Sequence, residues 1–154
     1  MSNICVRFYE GIIRVGELLQ SPLLLAMRLF WGYQFFQGGM GKLANIANTI
    51  AFFQNLGIPF AEANAYMVGS LEAAGGMLLM LGLASRLVSI PLIITMCTAY
   101  ATAHREALLN IFQDPDTFIS QGPFNFLLMC LIVLAFGPGK FSLDALIERM
   151  RARK

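Results

Sequence analysis

Six polar side chains stand where their types could do chemistry in an otherwise apolar chain: Arg28, Gln34, Gln37, Lys42, Glu72 and His104. Arg28 opens an aromatic stretch, Arg28-Leu29-Phe30-Trp31-Gly32-Tyr33, that runs on through Gln34 and Gln37 to Gly41-Lys42. A cation inside an apolar run of membrane length costs about 2.5–3.5 kcal/mol on insertion scales, so it usually faces a partner within the protein. Glu72 is the one acid inside the long apolar runs, and a pairing of Arg28 with Glu72 is the expectation. The alternative is that Arg28 snorkels to the near interface. A paired Arg28 and Glu72 could fix helix register or line a ligand cavity, where a cation and an acid supply a hydrogen bond and a proton. Depth opposes the pair: counted from the inner edge, Arg28 lies about 9 Å in and Glu72 about 18 Å. Gln34 and Gln37 read as inward amides bonding neighbouring helices. Lys42 and His104 fall at the outer rim, where His104 is an interfacial residue or, with an ordinary pKa of about 6.5, a proton carrier. Trp31, Tyr33, Phe35 and Phe36 read as packing or lipid-facing residues, with quinone stacking as the alternative.

Other chemistries find less support. Cys5, Cys97 and Cys130 are isolated and no CxxC occurs, so neither a zinc knuckle nor a redox dithiol is signalled. Two of these cysteines lie in apolar runs, where they act as small hydrophobes. A single histidine excludes a bis-histidine haem site within one chain, and no metal site is expected. A net charge of +2 is too small to argue for nucleic acid.

The elements that must position these groups follow from hydropathy. Of 154 residues, 57 % are hydrophobic and 13 % charged, about half the charge usual for a soluble domain. Mean hydropathy is +0.65. Together these values point to one integral membrane domain over residues 1–154. No cleavable signal peptide is visible, since Arg7, Glu10, Arg14 and Glu17 interrupt the first twenty residues. Residues 3–20 read as an amphipathic helix lying in the cytoplasmic interface, with Ile4, Phe8, Ile12, Val15 and Leu19 on one face. Ser21-Pro22 should then cap and open a first span over about 22–41.

Residues 43–64 carry too many amides to span. Leu43, Ile46, Ile50, Phe53 and Leu56 predict a short amphipathic or re-entrant segment over the outer mouth, ended by Gly57 and Pro59. A second span is expected at about 65–84, with Gly69, Ala73 and Gly76 as a close-packing stripe beside Glu72. Ser85-Arg86 is a tight turn, and the third span runs about 87–103 with a kink at Pro91. A fourth span, about 118–136, needs Gly122-Pro123 inside it as a kink. Ser142 should cap a short basic C-terminal helix bearing Arg149, Arg151, Arg153 and Lys154. The fold class is therefore all-α: a four-helix membrane bundle with flanking amphipathic helices. Four spans put Arg7, Arg14, Arg86, Lys140, Arg149, Arg151, Arg153 and Lys154 on one side and Lys42 and Arg105 on the other. The positive-inside rule then makes both termini cytoplasmic and the membrane the inner (plasma) membrane.

Six short motifs in order carry a family resemblance: Arg28; Gly39-x-x-Lys-Leu43; Leu56-Gly-Ile-Pro59; Glu72-x-x-Gly-Gly76; Leu81-Gly-Leu-x-x-Arg86; and Gly137-Pro-Gly-Lys-Phe-Ser-Leu-Asp144. Each is weak alone, but in this order the chain resembles the DoxX family of small four-span membrane proteins over about residues 24–147. Many members open the fourth helix with an acid; this chain has Gln121 and Asn125 there. The resemblance implies a redox-associated membrane protein, since some relatives are the small subunit of a thiosulfate:quinone oxidoreductase. A quinone or small sulfur substrate in the bundle is the implied ligand. The chain encodes no redox centre of its own, so electrons must come through a diffusible cofactor such as a quinone, or through a soluble or membrane redox partner. The competing reading is a non-enzymatic scaffold or transporter-like protein that recruits a soluble partner through its basic tail. Self-association into a homo-oligomer is open under both.

Overall fold

Long apolar runs punctuated by glycine and proline leave the backbone one economical solution, helices that satisfy their own hydrogen bonds. The computed structural model describes residues 2–152, with side chains from residue 6. Arg153 and Lys154, and the side chains of Ile4 and Cys5, lie outside the described residues. The helices are α1 (Ser2–Ala44), α2 (Ile46–Asn55), α3 (Ala61–Leu81), α4 (Ser85–Thr102), α5 (Arg105–Leu109), α6 (Pro115–Ser120), α7 (Gly122–Phe136) and α8 (Leu143–Arg151). No strand occurs among the described residues.

α1, α3, α4 and α7 pack in that order around one core, with α1 against α3 and α4 against α7 the most extensive pairings. Phe35, Leu79, Leu92, Met96, Met129 and Val133 meet at its centre. The α1–α3 seam is made of missing side chains. A Cβ at Gly39 would fall within 3.0 Å of the backbone of Gly69 and Ala73, and one at Gly76 within 3.0 Å of Gly32 and Phe36. Small residues at these positions let two backbones touch, which is the packing expected of helices in lipid. By length and apolarity, Ser85–Thr102 is the helix that qualifies as a membrane crossing among the described residues; α7 is apolar but shorter.

Three boundaries depart from the sequence expectation. Ser21-Pro22 does not start a helix: α1 is continuous, with Pro22 inside it. Proline forfeits one hydrogen bond to the carbonyl four residues back, and both Leu18 and Pro22 are exposed there. Ser21 is not a cap; its Oγ accepts from the Lys140 amide at 3.3 Å. Residues 6–20 are exposed throughout, so the N-terminal half of α1 stands clear of the bundle in line with the packed half. The α3–α4 turn is Gly82–Ala84, and Ser85 already begins α4. Gly82 takes the left-handed conformation at φ 69°, its amide bonding back to Leu79, the ordinary way a glycine ends a helix.

The stretch 118–136 is broken, not kinked. Gln121 is extended at ψ 142°, separating α6 from α7. Pro123 supplies no amide and disfavours a helical residue before it, so the chain restarts, and α7 covers about 22 Å. Two expected stops and caps are present. α2 ends at Leu56-Gly57, with Gly57 at φ 70°. Ser142 Oγ accepts from the Ala145 amide at 3.1 Å and caps α8.

Candidate functional site

Helix ends leave carbonyls and amides unpaired, and the end of the bundle at the α3–α4 turn is organised by charges that meet them. Arg28 is fully buried. Its Nη1 donates to the Leu79 carbonyl at 3.3 Å and its Nη2 to the Phe141 carbonyl at 2.6 Å. The guanidinium thus closes the C-terminal end of α3, where a cation is electrostatically favoured, and ties the segment before α8 to it. Asp144 does the converse for α4. Its two oxygens accept from the Ala84 amide at 2.8 Å and the Ser85 amide at 3.0 Å, while its own amide donates to Gly82 O at 2.9 Å. Arg86 Nη2 reaches the Ala135 carbonyl at 3.4 Å near the end of α7.

Arg28 therefore does not pair with Glu72. Leu79 lies seven residues along α3 from Glu72, about 10 Å at 1.5 Å per residue, and the Arg28 fork is occupied by carbonyls. Asp144, which caps α4, was not among the expected site residues. Its only sequence signal is its place in the Gly137–Asp144 motif, which shows a pattern and not a partner.

Glu72 pairs with Lys42 instead, Nζ to Oε2 at 2.5 Å. Glu72 is buried, and the Lys42 side chain keeps 33 % exposure. The pair exists because α1 runs past the expected span end to Ala44, so Lys42 reaches along the close-packed seam. Gly38 leaves room for it: a Cβ there would stand 3.6 Å from Glu72 Oε2 and 3.9 Å from Lys42 Nζ.

This ion pair forms part of the wall of a cavity of about 570 Å³. Gln34 and His104 line it too, with Phe35, Phe53 and Phe126 among its apolar walls. α2 and the Leu56–Pro59 turn cover it on one side. Four of the six candidate residues are thus brought to one space, and two are not. Gln37 is exposed and donates from Nε2 to Tyr33 Oη at 2.9 Å; Arg28 belongs to the polar lock at the α3–α4 turn. His104 precedes α5 and meets Tyr100 edge-on, ring centroids 6.0 Å apart. Tyr100 stacks on Phe118 and donates to its carbonyl at 2.8 Å, tying α4 to α6 at the rim of the cavity.

Among the described residues no cysteine lines this wall: Cys97 is exposed on α4 and Cys130 is buried in the core. No group of three metal-ligating side chains converges among the described residues. The chemistry on offer is a donor ammonium beside a carboxylate, an amide and an imidazole in an aromatic chamber. Such a site can hold a polar head group and exchange a proton with it.

The sequence model of the DoxX family matches residues 23–105. A Bacillus subtilis protein named "Putative oxidoreductase CatD" is 30 % identical over 105 residues, 68 % of this chain and 70 % of that protein. "Uncharacterized membrane protein Rv3486" of Mycobacterium tuberculosis is 29 % identical over 96 % of this chain and 82 % of its own length. An uncharacterized Haemophilus influenzae protein is 28 % identical over 85 % of this chain and 87 % of its own length. No solved structure matches. The chain belongs to the DoxX family. That membership, with an α4 long and apolar enough to cross a bilayer, places it among membrane proteins.

Proposed function

We propose that this chain is a four-span inner-membrane subunit of a redox system that holds a quinone or a small sulfur compound in the cavity beside Lys42 and Glu72. The spans are α4, α7, α3 and the second half of α1, with both termini in the cytoplasm. The observation that carries the reading is the Lys42–Glu72 pair in the wall of a cavity of about 570 Å³. A buried ion pair is rarely retained for stability alone, since its desolvation offsets its attraction. Here one partner is part-exposed to a space large enough for a small organic molecule. The name carried by the Bacillus relative favours redox chemistry. Electrons would pass through the bound quinone or a partner, since the described wall offers an ion pair, an amide and an imidazole.

The test is the purified chain in mild detergent, extracted with organic solvent and labelled with a photoreactive quinone analogue. A co-purifying quinone, or adducts on the cavity wall that fall in Lys42→Gln and Glu72→Gln, is the expected result. Adducts confined to the outer surface and unchanged in both variants would overturn it.

One observation favours the second reading, a scaffold that recruits a partner. Phe8, Ile12, Val15 and Leu19 are 71 %, 55 %, 55 % and 60 % exposed on the free half of α1. A soluble partner retained by the full chain and lost on deleting residues 2–19, with an empty cavity, would replace the redox subunit by that scaffold.

A further inference from the structure

An antiparallel helix pair joined by a three-residue turn is held together at the turn and is free to part at the far end. α3 and α4 are such a pair, joined at Gly82–Ala84. Near the turn they are in close contact: a Cβ on Gly75 would meet the Leu92 side chain at 3.1 Å. Counting outward from that contact sets Met67 of α3 at the height of Thr98 to Tyr100 of α4, and Glu72 near Thr95. From the level of Ala73 outward both helices line the cavity through side chains that are exposed. Met67 is 58 % exposed and Ile94 61 % exposed, Thr98 is exposed, and all three border the cavity.

The outside at that point is apolar. Ile94 continues the exposed stripe of Leu87 and Ile90 along α4, and Met67 stands with Met77 and Leu81 on the outward side of α3. On the membrane reading of the fold, this stripe faces hydrocarbon. The cavity thus reaches lipid without passing through the water at its rim. Its formally charged wall residues are Lys42 and Glu72, which neutralise each other at 2.5 Å. A charged head group would have to leave its hydration for a site with no net charge to receive it. A carbonyl can accept from the Lys42 ammonium and leave the pair intact.

We propose that the cavity is entered sideways from the bilayer, through a window between the outer halves of α3 and α4 framed by Met67, Ile94 and Thr98, by an uncharged carbonyl-headed amphiphile whose hydrocarbon tail remains in the window. The proposal rests on the cavity being a ligand site and narrows the ligand to the lipid-soluble class, setting aside a small ionic sulfur compound.

The test uses the full chain in proteoliposomes and two photoreactive probes: a diazirine-bearing aryl ketone, and the same ketone with a decyl tail. Ile94→Trp and Met67→Trp narrow the window at exposed positions, and Ala103→Trp crowds the aqueous rim; thermal melting confirms that each variant folds. The tailed probe is expected to label the cavity wall of the unmodified chain. Its labelling rate falls severalfold in both window variants and stays unchanged in the rim variant. Slowing by the rim variant alone, equally by both kinds of variant, or by none overturns the lateral route while leaving the cavity a ligand site. Absence of cavity adducts with either probe in the unmodified chain removes the ligand site itself, and the window with it.

Discussion

A charge in an apolar chain can be satisfied by an opposite charge or by helix-end dipoles, and the two cases look alike in sequence. Arg28 and Glu72 are each the lone full charge in an expected span, and sign alone matches them. The structure gives Arg28 two carbonyls and gives Glu72 a lysine from beyond the span. The depth count of about 9 Å against 18 Å already disfavoured the match; a partner of backbone carbonyls leaves no trace in side-chain types. Four of the six candidate residues line one cavity, legible because polar groups in apolar runs seldom face lipid. The roles of Arg28 and Asp144 were not legible. The consequence is measurable in detergent by thermal or denaturant unfolding. Lys42→Ala and Glu72→Ala should be non-additive, with a coupling of about 0.5–3 kcal/mol, whereas Arg28→Ala and Glu72→Ala should add within about 0.5 kcal/mol. Coupling of Arg28 to Glu72 as strong as that of Lys42 would contradict the geometry. Arg28→Lys should recover little, because one ammonium does not reproduce a fork that reaches two carbonyls.

Elements were legible where periodicity and punctuation agreed, as at α2 with its glycine stop and α8 with its serine cap. They are ambiguous where proline has two meanings. Pro22 reads as a helix start, yet it lies within a helix whose exposed side absorbs one lost bond. Pro123 reads as a kink, yet the chain restarts there. The small-residue stripe of α3 was visible; its matching glycines on α1 fix how closely the two helices approach. Gly39→Ala should therefore destabilise by about 1–3 kcal/mol through overpacking, since its Cβ would strike backbone. Gly41→Ala, two residues on, meets open space and should be neutral or stabilising by up to about 1 kcal/mol. Equal melting temperatures for the two variants would deny the seam its role.

α6 offers a pH test outside the spans. Hydrogen bonds from the Thr117 hydroxyl and amide to Asp114 hold this carboxyl below its usual range. A depressed folded value means the cap's contribution is complete above the ordinary aspartate pKa of about 3.9 and is lost as pH falls from there through the lowered value. Protection of the Thr117 amide against exchange should follow that curve and lose its pH dependence in Asp114→Asn. Loss of protection well above the ordinary aspartate range would contradict the assignment.

At the scale of the molecule the two ends differ in kind. One end is a polar lock, where Arg28 and Asp144 hold the α3–α4 turn and the chain before α8 together. The other is an aromatic chamber covered by α2. Basic side chains follow the same division. Arg7, Arg14, Arg86, Lys140, Arg149 and Arg151 belong to the lock end or to the helices projecting from it, and Lys42 and Arg105 to the chamber end. Orientation follows Lys and Arg within about 15–20 residues of the spans, and on the proposed topology the lock end lies in the cytoplasm and the chamber opens toward the outer leaflet. The proposed span α7 covers about 22 Å against a hydrocarbon core of about 30 Å, so that proposal requires thinning or flanking residues that snorkel. A fluorescent reporter fused after residue 154 should be active in the cytoplasm, and an alkaline phosphatase placed there inactive. The same phosphatase inserted in the loop between α5 and α6, near residue 112, should be active. Exchange of these two outcomes would invert the molecule, place the chamber beside the cytoplasm, and make its ligand a molecule of the inner leaflet.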